Sequence, residues 1–366
     1  MRVSDVATPP KLGDFVFATV SRLGEHQFLE GAHGRRMRLY PGDIIVGAYG
    51  NRYATEFYEG YLPGPGDEVH LLTSGGLVGT VASTHTSKGI PTRLEVVGPM
   101  VRAASSTGGM STDTASVTAL NTGDFAVAPS PSGSKPAMGT IVVVGSAMNA
   151  GKTTTSCAMV RGLVRAGLRV GAAKATGSGS GKDHWAYLDA GAATVTDFLD
   201  FGMPSTFGYP VERLLATLHQ IRDRLSVQGC DAVVLEIADG VLQDETRALV
   251  RGLPTFADEV ILCVGDALGA VAGLEVLHKL GVTCRSISGL VTASPLASRE
   301  VSAATGLPVL TPGDLAGGAA VDLLARIPDR PAEFIDGSDE LYARAATSPQ
   351  TVMHDSTPRA RERGSR

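Results

Sequence analysis

A glycine-containing stretch near the middle of the chain has residue types that could hold a chain of phosphates. Gly145 is followed by Ser-Ala-Met-Asn-Ala and then by Gly151, Lys152 and Thr153. A helix N-terminus leaves backbone N–H groups unpaired, and small residues let that backbone close around phosphate oxygens. In such a loop the lysine reaches the β- and γ-phosphates and the hydroxyl holds Mg²⁺. The stretch therefore predicts a nucleotide-phosphate site.

The flanking sequence supplies the elements that must position this loop. The β-branched run 140–144 precedes it, and the apolar-periodic segment 153–166 follows it and stops before Gly167. Such a pattern predicts a strand, a phosphate loop and a helix. We expect Lys152 to be a solvated loop lysine. The predicted nucleotide-binding residues are Asn149, Ala150, Gly151, Lys152, Thr153 and Thr154.

The loop differs in spacing from the common Walker A pattern. Five residues separate Gly145 from Gly151, one more than in that pattern. This longer form resembles the phosphate loop of dethiobiotin synthetase and its relatives, a branch of the P-loop enzymes, and the resemblance implies ATP and Mg²⁺ as cofactors. The partitioning and septum-site ATPases carry a second lysine five positions before the loop lysine. This chain has Ala147 there, which disfavours that branch.

Strands and helices alternate regularly after the loop, which predicts a parallel sheet with helices on both faces. Ligands of such sheets bind at the carboxyl ends of the strands. Lys174 lies at one such end, in a segment that resembles the lysine-containing loop of dethiobiotin synthetase. Its Ala-Thr-Gly continuation is closer to a bacterial P-loop family that includes N-acetyltransferases acting on D-glutamate. The resemblance implies that Lys174 holds the γ-phosphate or a substrate anion.

Two carboxylates complete the predicted site. Glu236 ends a buried strand, and an unpaired carboxylate there is too costly to be incidental, so a cation or strong donors must face it. Its segment resembles the Glu-Gly-x-Gly-Gly of dethiobiotin synthetase, which implies a role beside Mg²⁺, although Asp239-Gly240 replaces the glycine pair. The resemblance also implies a second acid, for which Asp197 is preferred to Asp189; helix capping is the alternative for either. The predicted metal ligands are Thr153, Asp197 and Glu236, and the predicted catalytic residues are Lys152, Lys174 and Glu236.

Two further segments bear on the ligand. The small residues between Thr176 and Lys182 predict a loop that is mobile when empty. His184 and Trp185 at its end either close over a substrate or anchor the next helix. Residues 189–199 are predicted to be helical. The chain has no Asn-Lys-x-Asp guanine motif, which favours ATP over GTP, and the resemblance places the base near residues 291–294 and 310–314.

The rest of the chain sets the domain organisation. Short β runs bounded by Gly, Pro and Asp over residues 14–104 predict a small barrel or sandwich. The predicted fold is α/β: a small all-β domain (1–104), a Ser/Gly/Pro-rich linker (105–138), a parallel-sheet P-loop NTPase domain (139–335) and a flexible C-terminal tail (336–366). The aromatic cluster between Tyr49 and Tyr61 is either a stacking surface or core and interface. The family resemblance covers roughly residues 139–325.

Composition limits the partners. The net charge is −5 and the sequence pI about 5.9, so no overall field attracts nucleic acid or an anionic membrane. Neither a leader pattern nor a run long enough to span a bilayer is found, which predicts a cytoplasmic protein. The four cysteines form no Cys-x-x-Cys pair and are interpreted as buried thiols. The partners expected are a nucleotide, a small-molecule substrate and a second copy in a homodimer.

Three functions are consistent with these residues. The first is an ATP- and Mg²⁺-dependent enzyme that activates a small metabolite by phosphoryl transfer, such as a carboxylate ligase or synthetase. The second is an N-acyltransferase on an amino acid, with the phosphates of an acyl-CoA in the phosphate loop. The third is a nucleotide-dependent switch protein whose β domain docks a partner.

Overall fold

The computed structural model describes residues 2–3, 9–102, 118–130 and 138–325. These described residues all belong to one compact unit. The predicted tail and most of the predicted linker lie outside the described residues. Within the described residues, no helix combines the length and the apolar character needed to cross a membrane.

The N-terminal part is a sheet whose pairing returns on itself. Strand β9 pairs with β2 and β7, β2 pairs with β5, β5 pairs with β8, and β8 pairs with β7. Side chains alternate along β2, where Val16, Ala18 and Val20 are fully buried, as expected for a strand with one face in a core. The strands are β1 (Arg2–Val3), β2 (Phe15–Arg22), β3 (Phe28–Glu30), β4 (Arg36–Arg38), β5 (Ile44–Tyr49), β6 (Tyr58–Tyr61), β7 (Val69–Leu71), β8 (Leu77–Thr84), β9 (Thr92–Arg102) and β10 (Thr118–Ala119).

A second sheet and its helices form the rest of the described chain. Its strands are β11 (Gly139–Gly145), β12 (Val170–Lys174), β13 (Thr194–Asp197), β14 (Ala232–Glu236), β15 (Glu259–Cys263) and β16 (Ser286–Ser288). The helices are α1 (Lys152–Arg165), α2 (Gly181–Ala190), α3 (Val211–Val227), α4 (Asp244–Gly252), α5 (Ala267–Lys279), α6 (Pro295–Thr305), α7 (Pro312–Asp314) and α8 (Ala320–Ala325). Short 3-10 turns cover Thr122–Phe125, Phe198–Phe201, Leu253–Thr255 and Leu290–Ala293, and a π turn covers Leu315–Ala319.

The second sheet is parallel throughout, in the order β13-β12-β14-β11-β15-β16. Along β11, Val142 and Val144 pack into one apolar cluster, while Ile141 and Val143 pack into the cluster on the opposite face. Burial on both faces explains why this strand is an unbroken apolar run. The predicted parallel α/β architecture is confirmed.

One predicted element is wrong. Residues 189–199 were expected to be helical, yet they contain the end of α2, strand β13 and the start of a 3-10 turn. Thr194, Val195 and Thr196 are β-branched and pair in parallel with β12. Pairing with a neighbouring strand therefore outweighs the weak helical pattern of this segment.

The register of this sheet determines which side chains meet at its carboxyl edge. Lys174 is the register partner of both Glu236 and Asp197, and Glu236 is also paired with Val143, two residues before the phosphate loop. Strand ends of a parallel sheet that are in register share one edge. The fold thus brings Lys174 and Glu236 beside the loop that precedes α1.

Candidate functional site

The phosphate loop depends on glycine at its last turn. Gly151 precedes α1 with φ 95°, and a Cβ there would lie 2.9 Å from the Gly289 Cα. A side chain is therefore excluded both by the left-handed backbone and by the neighbouring main chain. The first turn of α1 carries no acidic residue, so its N-terminus is suited to an anion.

Lys152 is buried, which differs from the expected solvated side chain. It is 3% exposed, and its Nζ donates to the carbonyl oxygens of Ala147 (2.8 Å), Met148 (3.0 Å) and Asp239 (2.8 Å). Burial lowers the pKa of Lys152, although Glu236 and Asp239 oppose the change. The Lys152 ammonium thus donates its hydrogen bonds to main-chain carbonyl oxygens, which phosphate oxygens would have to replace.

Glu236 lies at the centre of the site with two hydroxyl donors. Its Oε1 accepts from Thr153 Oγ1 at 3.2 Å and its Oε2 accepts from the Tyr187 hydroxyl at 2.5 Å. Burial and the Glu236 carboxylate raise the pKa of Tyr187 well above its usual value, so this hydroxyl remains a donor. These donors explain how a buried carboxylate is tolerated. Sequence reasoning missed Tyr187, which is distant in sequence and carries no motif.

The donor set fits a hard cation. Within the ranges that the structure describes, no group of three His, Cys, Asp or Glu side chains is arranged to hold a metal. Mg²⁺ is commonly held by one or two protein oxygens together with water and substrate phosphates. Thr153 Oγ1 and the Glu236 carboxylate, 3.2 Å apart, are oxygens of that kind beside a phosphate loop.

Lys174 pairs with an acid that sequence reasoning also missed. Its ammonium forms an ion pair with Asp183 in the first turn of α2, and both side chains are mostly buried. Burial alone would lower the pKa of Lys174, but the carboxylates of Glu236 and Asp183 outweigh it and raise the pKa. Lys174 is therefore a fixed positive charge beside Glu236.

Asp239 has the backbone of a glycine. Its φ is 63°, the one positive φ outside glycine among the described residues. A Cβ on the next residue, Gly240, would lie 2.5 Å from the Ser146 carbonyl oxygen, so the segment passes close to the phosphate loop. Burial raises the pKa of Asp239 to about 6, with Lys152 and Lys174 opposing. Strain of this kind is concentrated at functional sites.

Asp197 occupies a capping position. Its Oδ1 accepts from the Leu199 N–H at 2.8 Å and caps the turn Phe198–Phe201. Burial and then Asp200 raise its pKa to about 6. In the sheet, Lys174 lies between Asp197 and Glu236. The capping alternative accounts for this geometry, and the role of Asp197 as a metal ligand stays a prediction. Asp189 is exposed in the last turn of α2.

The loop of small residues between Thr176 and Lys182 makes hydrogen bonds to two other parts of the chain. Gly177 and Thr206 exchange main-chain and side-chain hydrogen bonds, and Gly179 N donates to the Pro204 carbonyl at 2.9 Å. Thr73, from the N-terminal sheet, donates to the Gly179 carbonyl at 3.3 Å. These contacts differ from the expected mobile loop. His184 and Trp185 line a cleft next to the N-terminal sheet.

The first segment expected near a base, residues 291–294, follows two residues that contact the phosphate loop. Leu290 N donates to the Ala150 carbonyl at 2.9 Å, and a Cβ on Gly289 would lie 2.2 Å from the same oxygen. Thr311 caps α7, and Asp314 accepts from its N–H and hydroxyl. A base-binding role for these segments stays a prediction.

The N-terminal sheet contacts the phosphate loop directly. Glu56, between β5 and β6, accepts a hydrogen bond from the Asn149 side chain. Tyr53 and Tyr61 pack on Phe207, with ring centroids 5.4 and 5.8 Å apart. The predicted aromatic cluster thus includes rings from the N-terminal part that pack against Phe207, which belongs to the part with the parallel sheet. Sequence reasoning had assigned no role to Glu56.

Comparisons with known proteins find matches only among solved structures. No family model and no curated protein match the chain. The signal recognition particle receptor FtsY from Elizabethkingia anophelis matches with 19% identity over 56% of this chain and 66% of that chain, with a TM-score of 0.36. The signal recognition particle 54 kDa protein from Aeropyrum pernix K1, in complex with GDP, matches with 23% identity over 58% of this chain and 50% of that chain, with a TM-score of 0.37. Chloroplast FtsY from Physcomitrella patens matches with 18% identity over 51% of this chain and 61% of that chain, with a TM-score of 0.36.

This chain spans less than two thirds of each of these structures. The decisive feature is the buried strand β11, the loop with Lys152 at its end and helix α1 behind it. The described residues have a parallel α/β fold that is consistent with a P-loop NTPase. The particular resemblance to dethiobiotin synthetase is not shown.

The main functional prediction is wrong. The solved structures that match are signal recognition particle proteins rather than ligases, which contradicts an ATP- and Mg²⁺-dependent enzyme that activates a small metabolite by phosphoryl transfer, such as a carboxylate ligase or synthetase. The ATP prediction is not shown, and the description of the Aeropyrum pernix K1 structure names GDP.

Proposed function

We propose that the protein is a nucleotide-dependent switch, which binds and hydrolyses a nucleoside triphosphate with Mg²⁺ and signals its loading through the N-terminal sheet. The observation that carries this proposal is the contact between Asn149 of the phosphate loop and Glu56 of the N-terminal part. A carboxylate beside a phosphate loop is repelled by the phosphates that the loop binds. Nucleotide binding therefore weakens the contact between Asn149 and Glu56, and this contact in turn weakens nucleotide binding.

The buried lysine supplies a second change on loading. Lys152 donates to the Asp239 carbonyl at 2.8 Å in the empty loop. Phosphate oxygens are stronger acceptors for an ammonium than carbonyl oxygens, because phosphate is negatively charged and both partners of the hydrogen bond are then ionised. When Lys152 turns to phosphate, the strained Asp239 backbone, at φ 63°, loses that contact. The segment after β14 is then free to rearrange.

The same side chains support hydrolysis. Thr153 and Glu236 would hold Mg²⁺, which neutralises phosphate charge and orients the phosphoryl group. Lys152 and Lys174 would stabilise charge on the transferring phosphoryl group. Lys174 pairs with Asp183 in the empty site, so the triphosphate would compete with Asp183 for this lysine. Loss of the ion pair would change the contact between α2 and the sheet. Asn149, Ala150, Gly151 and Thr154 would surround the phosphates.

The finer architecture belongs to this proposal. The pairing of β2, β5, β8, β7 and β9 closes on itself, which supports a small barrel that docks a partner protein. The domain limits 1–104, 105–138, 139–335 and 336–366, a homodimer and a cytoplasmic location are retained as proposals. The base is left to experiment, with guanine and adenine nucleotides compared directly.

The proposal predicts that Glu56→Gln binds nucleotide more tightly than the natural protein. Removing the carboxylate abolishes repulsion of phosphate while the amide retains the shape. Because the group is exposed, we expect a gain of about three- to tenfold in affinity that shrinks at high salt. Calorimetric titration with Mg²⁺-GDP and Mg²⁺-ADP measures it.

The matched control is Glu59→Gln. Glu59 accepts from Tyr61 and Ser83 on the same sheet, so its variant removes the same charge from a position with different partners. It should bind like the natural protein. Equal affinity of the Glu56 and Glu59 variants would show that the Asn149 contact does not oppose nucleotide.

A further inference from the structure

The cleft that His184 and Trp185 line lies between the N-terminal sheet and helix α2. Its volume is about 600 Å³, within the range of small-molecule sites in proteins. Its wall includes the side chains of residues far apart in sequence. The large apolar lining residues include Phe15, Val46, Phe125, Trp185, Leu199 and Pro204.

Several of these apolar side chains are exposed in the empty cleft. The exposed fractions are 58% for Phe125, 41% for Val46, 41% for Leu199 and 38% for Trp185. Single exposed apolar residues are ordinary, but a convergent group around a concave surface marks a binding site. Covering these side chains with an apolar ligand would remove that surface from water.

The charged groups of the cleft are acidic. Glu30 and Asp197 contribute to its lining together with His184, and among the described lining residues there is no lysine or arginine. Glu30 is already engaged, because Oε2 accepts from Gly181 N at 2.7 Å and Oε1 accepts from Ser180 Oγ at 3.2 Å. The carboxyl of Asp197 accepts main-chain N–H groups at its cap.

Trp185 is held as a fixed aromatic wall. A Cβ on Gly34 would lie 2.4 Å from the indole Nε1, and a Cβ on Gly181 would lie 3.1 Å from it. The indole therefore lies against main chain from both the turn between β3 and β4 and the start of α2. A fixed indole gives a ligand an apolar surface and, for a cation, a favourable ring face.

The geometry points to a binding site for a small organic amine with an aromatic or apolar body, with its ammonium group at Asp197 and its body against Trp185. The lining residues include none of the phosphate loop, and the inference does not depend on the proposed switch; it takes Asp197 as the partner of an amine and not as a metal ligand. Helix α2 lies between them: Gly181, His184 and Trp185 line the cleft, while Asp183 and Tyr187 contact Lys174 and Glu236.

Three probes with similar bodies test the chemistry on nucleotide-free protein: 2-phenylethylamine, 2-phenylethanol and 3-phenylpropionate. Binding is measured by calorimetry and by the fluorescence of Trp185, the one tryptophan of the chain. We expect the amine to bind about tenfold more tightly than the carboxylate, with the alcohol between them. Equal binding of amine and carboxylate, or no binding of any probe, would overturn the proposal.

Variants locate the site. Asp197→Asn keeps the capping oxygen and should bring the amine-to-carboxylate ratio close to one, whereas Glu300→Gln, on the exposed face of α6, should leave it near tenfold. Val46→Phe narrows the cleft from an exposed position on β5 and should weaken all three probes. Circular dichroism confirms folding. An amine preference that survives in Asp197→Asn, or unaltered binding in Val46→Phe, would place the ligand elsewhere.

Discussion

Lys152→Met should abolish nucleotide binding. The ammonium would make at least two charge-assisted hydrogen bonds to phosphate, each contributing about 1.5–3 kcal/mol, so their loss weakens binding on the order of 100-fold or more. Methionine keeps the length and apolar stem of the lysine, which limits the damage to packing. Calorimetric titration with Mg²⁺-nucleotide measures the loss.

The buried position of Lys152 adds a stability effect. In the empty loop its ammonium satisfies the carbonyls of Ala147, Met148 and Asp239. A buried acceptor that loses its donor costs about 1–3 kcal/mol, and the cost is smaller here because Ala147 is exposed and the other two are half-buried. A lower midpoint of thermal unfolding is therefore expected, and folding must be verified at the titration temperature. Lys182→Met, which removes an exposed lysine in the first turn of α2, is the control and should bind normally. Normal nucleotide binding by folded Lys152→Met would contradict the phosphate site.

Glu236→Gln should remove most of the Mg²⁺ dependence of nucleotide binding. The amide preserves volume and can still accept from Thr153, but it lacks the charge that holds a divalent cation. We expect Mg²⁺ affinity in the presence of nucleotide to fall by about tenfold or more. Titration of Mg²⁺ into the nucleotide complex measures it.

Tyr187→Phe separates the charge of Glu236 from its hydrogen bonds. The substitution removes the hydroxyl that donates to Glu236 Oε2 at 2.5 Å and leaves the carboxylate in place. Mg²⁺ should then bind at least as tightly as in the natural protein, because the cation no longer competes with the hydroxyl. If Glu236→Gln and Tyr187→Phe lose Mg²⁺ affinity equally, Glu236 is a structural acceptor and not a metal ligand.

Local patterns predicted the parts of the site that lie next to one another in sequence. The strand, loop and helix around Lys152 followed from residues within a single segment, and Lys174 and Glu236 followed from their positions at the ends of predicted strands. Tyr187 and Asp183 could not be found in this way. They reach the site from α2, whose start follows a Gly/Ser loop without a clear apolar period, so their partners depend on tertiary packing.

Sequence patterns also could not predict contacts between residues that are far apart in the chain. Glu56 and Asn149 are 93 residues apart, and Phe15 and Trp185 line one cleft from different halves of the chain. Asp239 is a further case, because no sequence pattern marks a non-glycine residue that adopts a left-handed φ of 63°. The close approach of the next residue, Gly240, to the Ser146 carbonyl oxygen likewise depends on tertiary packing.

Hydrogen exchange with and without Mg²⁺-nucleotide tests the central claim most directly, because it follows the loop and the N-terminal sheet in one experiment. The switch account predicts slower exchange in residues 145–155 and faster exchange in residues 53–58, where the contact of Glu56 with Asn149 is lost on loading. Slower exchange in residues 145–155 with unchanged exchange in residues 53–58 would contradict it, because nucleotide would then bind without any signal reaching the N-terminal sheet.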